Sequence, residues 1–106
     1  EAPFGVIGLE TALPVLLTEL HHKEKWSLAE IVRVTSIRPK EILGLGNEFG
    51  RLEKGAEANL TLVDLGKEWT ATPDTFESKS RNSCFLNRKF KGKVAATICA
   101  GKLWRF

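Results

Sequence analysis

Methionine is absent from all 106 residues. The chain therefore has no translational start of its own, and it reads as the remainder of something longer that opens on the loop-like Glu1-Ala2-Pro3-Phe4-Gly5. Also missing is any apolar run near the ~18 residues that cross a bilayer, and any signal-peptide pattern. A membrane partner is excluded on that reading, and a cytoplasmic location is expected. Cysteine is scarce. Cys84 and Cys99 lie far apart without CxxC spacing, which favours two reduced thiols of a cytosolic protein over a disulfide. No HxH, HExxH, GxSxG or GxxxxGK[ST] pattern occurs, so this stretch has none of the usual short signatures of metal, nucleophile or phosphate chemistry. Net charge is only +3. The densest basic stretch, Arg88-Lys89-Phe90-Lys91-Gly92-Lys93, reads as a solvated face before a strand, not as a nucleic-acid surface.

What is present is ordinary soluble material, 42% hydrophobic and 27% charged, which argues against disorder. At this length folding buries roughly two-thirds of the unfolded surface, enough for a modest core. Leu9, Ala12, Leu13, Leu16, Leu17 and Leu20 fall at helical spacing and predict an amphipathic helix. Thr11 is its expected N-cap, with Pro14 in the first turn and His21, His22 and Lys23 at the C-terminus. Ser27-Leu28-Ala29-Glu30 forms a capping box for a second helix facing inward through Leu28, Ile31, Val32 and Thr35. Pro39 starts a short third helix ending at Leu43 and closed by Gly44. Beyond Gly46 the period changes. A strand is predicted at Leu60 to Val63, a short one at Trp69 to Ala71, a turn at Pro73-Asp74, and a hairpin of Val94 to Cys99 with Leu103 to Phe106. Helices first and strands last suggest two structural settings meeting near Gly46.

Candidate chemistry is thin. The adjacent His21 and His22 point about 100° apart on a helix and lack companion ligands, so dipole-favoured polar residues are the simpler reading. Glu10, Glu19, Glu24, Glu30, Glu41 and Glu48 read mostly as solvated charges on helix faces. Asp64 reads as a turn-former at the end of a strand. Arg81-Asn82 either binds an anion or holds its loop by backbone hydrogen bonds. Pro3-Phe4-Gly5-Val6-Ile7-Gly8 is the most informative stretch. Its glycines let backbone approach a ligand, and its N–H groups suit a carboxylate; a tight turn into the helix explains the same residues equally well.

Ala2-Pro3-Phe4-Gly5-Val6-Ile7-Gly8-Leu9-Glu10-Thr11-Ala12-Leu13-Pro14 resembles the segment after the last metal ligand in bacterial-type dihydroorotases. Gly50-Arg51-Leu52-Glu53-Lys54-Gly55 through Asn59-Leu60-Thr61-Leu62-Val63-Asp64 is similar to a return strand of cyclic amidohydrolases at large. Thr75-Phe76-Glu77-Ser78-Lys79-Ser80-Arg81-Asn82, Phe85 and Lys91-Gly92-Lys93-Val94 narrow the resemblance to dihydroorotase. It covers essentially the whole chain. Arg38, Asn59 and Cys84 depart from the usual Asn, Asp and Pro.

The resemblance implies an α/β fold class: residues 1–46 as the terminal loop and last helices of a (β/α)8 barrel, residues 47–106 as C-terminal strands of a small β-sandwich. It implies reversible cyclisation of N-carbamoyl-L-aspartate to L-dihydroorotate, with zinc in the complete enzyme. The family's HxH pair, carboxylated lysine, two further histidines and Asp all lie upstream of positions resembling Glu1, so no catalytic residue and no metal ligand is expected here. Phe4 and Gly5 carry over as a backbone contribution to substrate binding. Expected partners are the small-molecule substrate, the remainder of its own barrel and a second copy in a homo-oligomer. The alternatives are a non-catalytic homologue that scaffolds aspartate transcarbamoylase, and a hydantoinase or allantoinase relative.

Overall fold

The computed structural model describes residues 4–106. Ala2, which opens the dihydroorotase-like segment, and Pro3, which opens the most informative stretch, lie outside the described residues. Helix α1 spans Leu9–Leu16 and runs on as a π-helical segment, Leu17–Lys23. Its start differs from expectation. Gly8 occupies the N-cap position without a side-chain cap, and Thr11 sits inside the first turn with its hydroxyl donating to Gly8 O at 3.3 Å. Pro14 consequently falls within the helix and not in its first turn. Its missing N–H removes one backbone bond, and the wider π winding begins three residues later.

The leucine stripe is the inward face only in part. Thr11, Pro14, Leu17 and Thr18 are buried, whereas Leu9 is 96% exposed and Leu13, Leu16 and Leu20 are only half-buried. What turns the helix is the strand that carries Lys91 and Gly92. Thr18 Oγ1 donates to Lys91 O at 3.4 Å and accepts from Lys91 N at 3.0 Å, and Leu17 lies against Gly92.

The capping box is present as read. Ser27 Oγ accepts from Glu30 N at 3.1 Å while Ser27 N donates to the Glu30 carboxylate at 2.7 Å, starting α2 at Leu28–Val32. A π-helical segment, Arg33–Ile37, links α2 directly to α3 at Arg38–Ile42, so the second and third helices form one winding. Of the face predicted to point inward only Ile31 is buried; Leu28, Val32 and Thr35 are exposed.

The two short strands expected at Leu60 and Trp69 are one strand, β1, Leu60–Thr70. It pairs antiparallel with β2, Lys89–Cys99, which in turn pairs antiparallel with β3, Lys102–Arg105. Strand β2 thus begins five residues before its predicted start, and Lys89 to Lys93 belong to it. Sequence periodicity missed the long β1 because it is interrupted. Asp64 pairs with Lys93 and Glu68 with Lys91, so Leu65, Gly66 and Lys67 loop out opposite Gly92. Asp64 Oδ1 accepts from Gly66 N and Lys67 N at 3.0 and 3.1 Å, a turn-forming role within a strand and not at its end. The β2–β3 turn is Ala100-Gly101, both at positive φ, which suits the twist of a two-residue hairpin. A short 3-10 turn, Pro73–Thr75, occurs at the predicted Pro73-Asp74 turn.

Where helix meets sheet, Ala71, Phe76 and Phe90 form the buried cluster, with Ile7, Val15, Trp69, Phe85 and Leu86 packed around it. The rings of Trp69 and Phe90 are 5.2 Å apart, and those of Phe85 and Phe90 6.2 Å. The Arg88 guanidinium lies over Phe85 and Phe90 and pairs with Glu19. Gly92 is the closest approach. It sits at φ +113, Trp69 Nε1 donates to its carbonyl at 3.0 Å, and a Cβ there would come within 2.8 Å of Leu17 Cδ1.

Candidate functional site

The loop ahead of α1 presents its side chains to solvent. Phe4 is fully exposed, and Gly5 and Val6 are exposed beside it. Among the described residues a Cβ added to Gly5 would meet nothing within 4 Å, and its φ lies outside the left-handed region. Neither the packing of the described residues nor the backbone requires glycine there. The loop is nonetheless tethered. Asn82 Nδ2 donates to the Gly5 carbonyl, and Ile7 N donates to Asn82 O at 2.9 Å.

A second tether lies one helical turn on. The Glu10 carboxylate accepts from Glu77 N at 2.8 Å, from Ser78 N at 3.1 Å and from Ser78 Oγ at 2.6 Å. The Ser78 hydroxyl first, then the Glu77 amide, hold the Glu10 carboxyl below its ordinary value of 4.5. Arg81 turns inward, donating to Phe76 O at 2.7 Å and to Ser78 O. Of the two readings of Arg81-Asn82, the loop-holding one describes these contacts. Glu10 itself was not legible as a loop anchor, because its partners lie 67 and 68 residues away. Glu19 also departs from the solvated reading, pairing with Lys23 and Arg88, while Glu30 closes the α2 capping box as its sequence indicated.

The histidines have other employment. His21 Nδ1 donates to Trp26 O at 2.7 Å, closing the end of its helix, and His22 Nε2 donates to Leu65 O at 2.9 Å, fastening the β1 loop-out. Among the described residues no three His, Cys, Asp or Glu side chains gather as a metal ion requires. Cys84 and Cys99 are exposed free thiols. An open groove of about 710 Å³ runs between α1 and the sheet, with Leu9, Leu13, Val94 and Phe106 among its apolar lining and Glu10, Asp74, Glu77, Lys93 and Arg105 as its charges. Phe4 and Gly5 do not line it.

Comparison with known proteins gives a consistent relationship. The chain is 46% identical to the dihydroorotase of Ehrlichia canis over 101 residues, covering 95% of the chain and 22% of that protein. It is 43% identical to the dihydroorotase of Bacillus subtilis over 102 residues, covering 96% of the chain and 23% of that protein. It superposes on an L-hydantoinase (dihydropyrimidinase) from Arthrobacter aurescens with a TM-score of 0.83 at 30% identity, over 93% of the chain and 22% of that structure. The chain thus spans less than a quarter of the length of these relatives. The model of the amidohydrolase family matches residues 5–104, nearly everything described above, and the chain belongs to that family.

Proposed function

We propose that the chain is the C-terminal part of a zinc-dependent dihydroorotase, which cyclises N-carbamoyl-L-aspartate to L-dihydroorotate in pyrimidine synthesis. One observation carries this: identity above two-fifths to two dihydroorotases across nearly the whole chain, against 30% to a hydantoinase. Residues 1–46 then belong to the end of a (β/α)8 barrel and residues 47–106 to the accompanying β-sandwich. The exposed apolar residues of α1, α2 and α3 support that placement, because barrel helices present such faces to strands.

Phe4 and Gly5 are this chain's contribution to the substrate site. The loop is exposed, tethered from behind, and free of any internal need for glycine, which fits a backbone kept open for a ligand. Its peptide N–H groups suit a carboxylate or carbonyl oxygen. The described residues do not fit zinc, since His21 and His22 are committed to carbonyls and no ligand set converges. We therefore assign this chain no step through the metal; its ligands would come from the rest of the protein. Among the described residues no helix is long and apolar enough to cross a membrane. The dihydroorotase reading makes the protein a cytoplasmic homo-oligomer.

The test is turnover by the full-length protein. Ring opening of L-dihydroorotate and ring closure of N-carbamoyl-L-aspartate are expected, well above hydantoin or allantoin hydrolysis. A preference for hydantoin or allantoin moves the protein to those relatives. Turnover of none of them favours the scaffold that partners aspartate transcarbamoylase.

A further inference from the structure

The two tethers on the Phe4–Glu10 segment reach the same loop. Gly5 and Ile7 are held by Asn82, and Glu10 by Glu77 and Ser78. Attachment at two points stops the segment from pivoting about either one. Within the loop, Asn82 N donates to Ser80 Oγ at 3.1 Å and Arg81 ties back to Phe76 O. Phe76 belongs to the buried cluster, so the clasp stands on the core.

We propose that Asn82 is a positioning residue for the substrate loop, acting through the Gly5 carbonyl. This rests on reading Phe4–Gly5 as a substrate contact. A trans peptide is planar, with its C=O and N–H on opposite sides, and no cis peptide occurs among the described residues. Pinning the Gly5 carbonyl to Asn82 therefore turns the Val6 N–H away from Asn82. The Ile7 N–H is already used by Asn82 O. Val6 thus supplies an outward donor of the loop, suited to a carboxylate or carbonyl oxygen. Only an amide serves at position 82: aspartate would set oxygen against oxygen, and an alkyl group could not donate.

The experiment uses the full-length protein carrying Asn82→Ala or Asn82→Asp, with Asn59→Ala as a control. Asn59 caps the β2–β3 turn through Ala100 N at 2.8 Å and does not touch the loop. Amide hydrogen exchange reads the clasp without any substrate. Exchange of the Ile7 amide, which is bonded to Asn82 O, should quicken about tenfold or more in both Asn82 variants and stay unchanged in Asn59→Ala. With L-dihydroorotate as probe, KM should rise about tenfold and kcat change less, again only in the Asn82 variants. Unchanged exchange of the Ile7 amide overturns the proposal whatever the substrate. So does quickened exchange with an unchanged KM in an enzyme that turns over dihydroorotate. An equal KM rise in Asn59→Ala overturns it too, by showing general loosening. Should the unsubstituted protein not turn over dihydroorotate, the function reading fails, and exchange alone decides the clasp.

Discussion

At the scale of single residues, two positions separate a binding role from a folding role. Nothing among the described residues demands glycine at position 5, so a larger side chain there should trouble ligand approach more than folding. In the full-length enzyme, Gly5→Val is expected to raise KM or lower kcat while stability changes by less than about 2 kcal/mol. Steady-state kinetics beside a denaturation curve check this; unchanged kinetics in a folded variant would make the loop a plain turn into α1. Glu10 is the opposite case, a fold-holding carboxylate. Its folded pKa lies below 4.5 through the Ser78 and Glu77 hydrogen bonds. A depressed carboxylate contributes stability above the unfolded value, and loses it as pH falls from there through the folded value. Because Glu10 is exposed, the effect is screened and modest. Glu10→Gln should flatten the fall in stability below about pH 4.5, the ordinary value of the group, when melting is followed across that range. An identical pH slope in the variant would show that the contacts with Ser78 and Glu77 do not persist in solution.

At the scale of elements, Gly92 couples helix to sheet. It sits at φ +113, where a side chain is strained, and a Cβ would stand 3.1 Å from Leu17 Cβ as well as against its Cδ1. Gly92→Ala is expected to destabilise the full-length protein by about 1–3 kcal/mol. Denaturant unfolding with an unchanged m-value would register it as a shifted midpoint; an unshifted midpoint would mean that α1 does not press on β2. Elements whose cause is local were legible in the sequence. The Ser27–Glu30 box, the Pro73-Asp74 turn and the Ala100-Gly101 hairpin turn each arise from residues within a few positions of one another. Elements set by distant partners were not. The register of β1 continues past its loop-out only because Glu68 and Trp69 find Lys91 and Phe90 on β2. Leu17 and Thr18, in the π-helical continuation of α1, face inward because Gly92 and Lys91 receive them; leucine periodicity pointed to Leu17 but could not indicate Thr18. The site divides the same way: Phe4 and Gly5 stand out in sequence, whereas Glu10 acquires its role only once residues 77 and 78 are brought to it.

At the scale of the whole molecule, the core is small for the apolar surface carried. Phe76, Phe90 and Ala71 are buried, yet Leu28, Val32, Val34, Ile37, Ile42 and Leu43 along the second helical winding are all exposed, with Ile31 alone buried at 2%. Burying each large aliphatic side chain is worth roughly 1.5–3 kcal/mol, so leaving these uncovered forgoes an amount comparable to a typical ~5–15 kcal/mol stability. Such a surface is expected to be covered by the remainder of a barrel, in keeping with relatives more than four times as long as the matched span. Sedimentation velocity of the purified 106-residue chain tests this most directly. Self-associated species are expected, since only another surface can cover the α2–α3 face. A single sharp monomer boundary across a wide concentration range would contradict the account, showing that these helices and strands close a core by themselves and that the barrel placement is wrong.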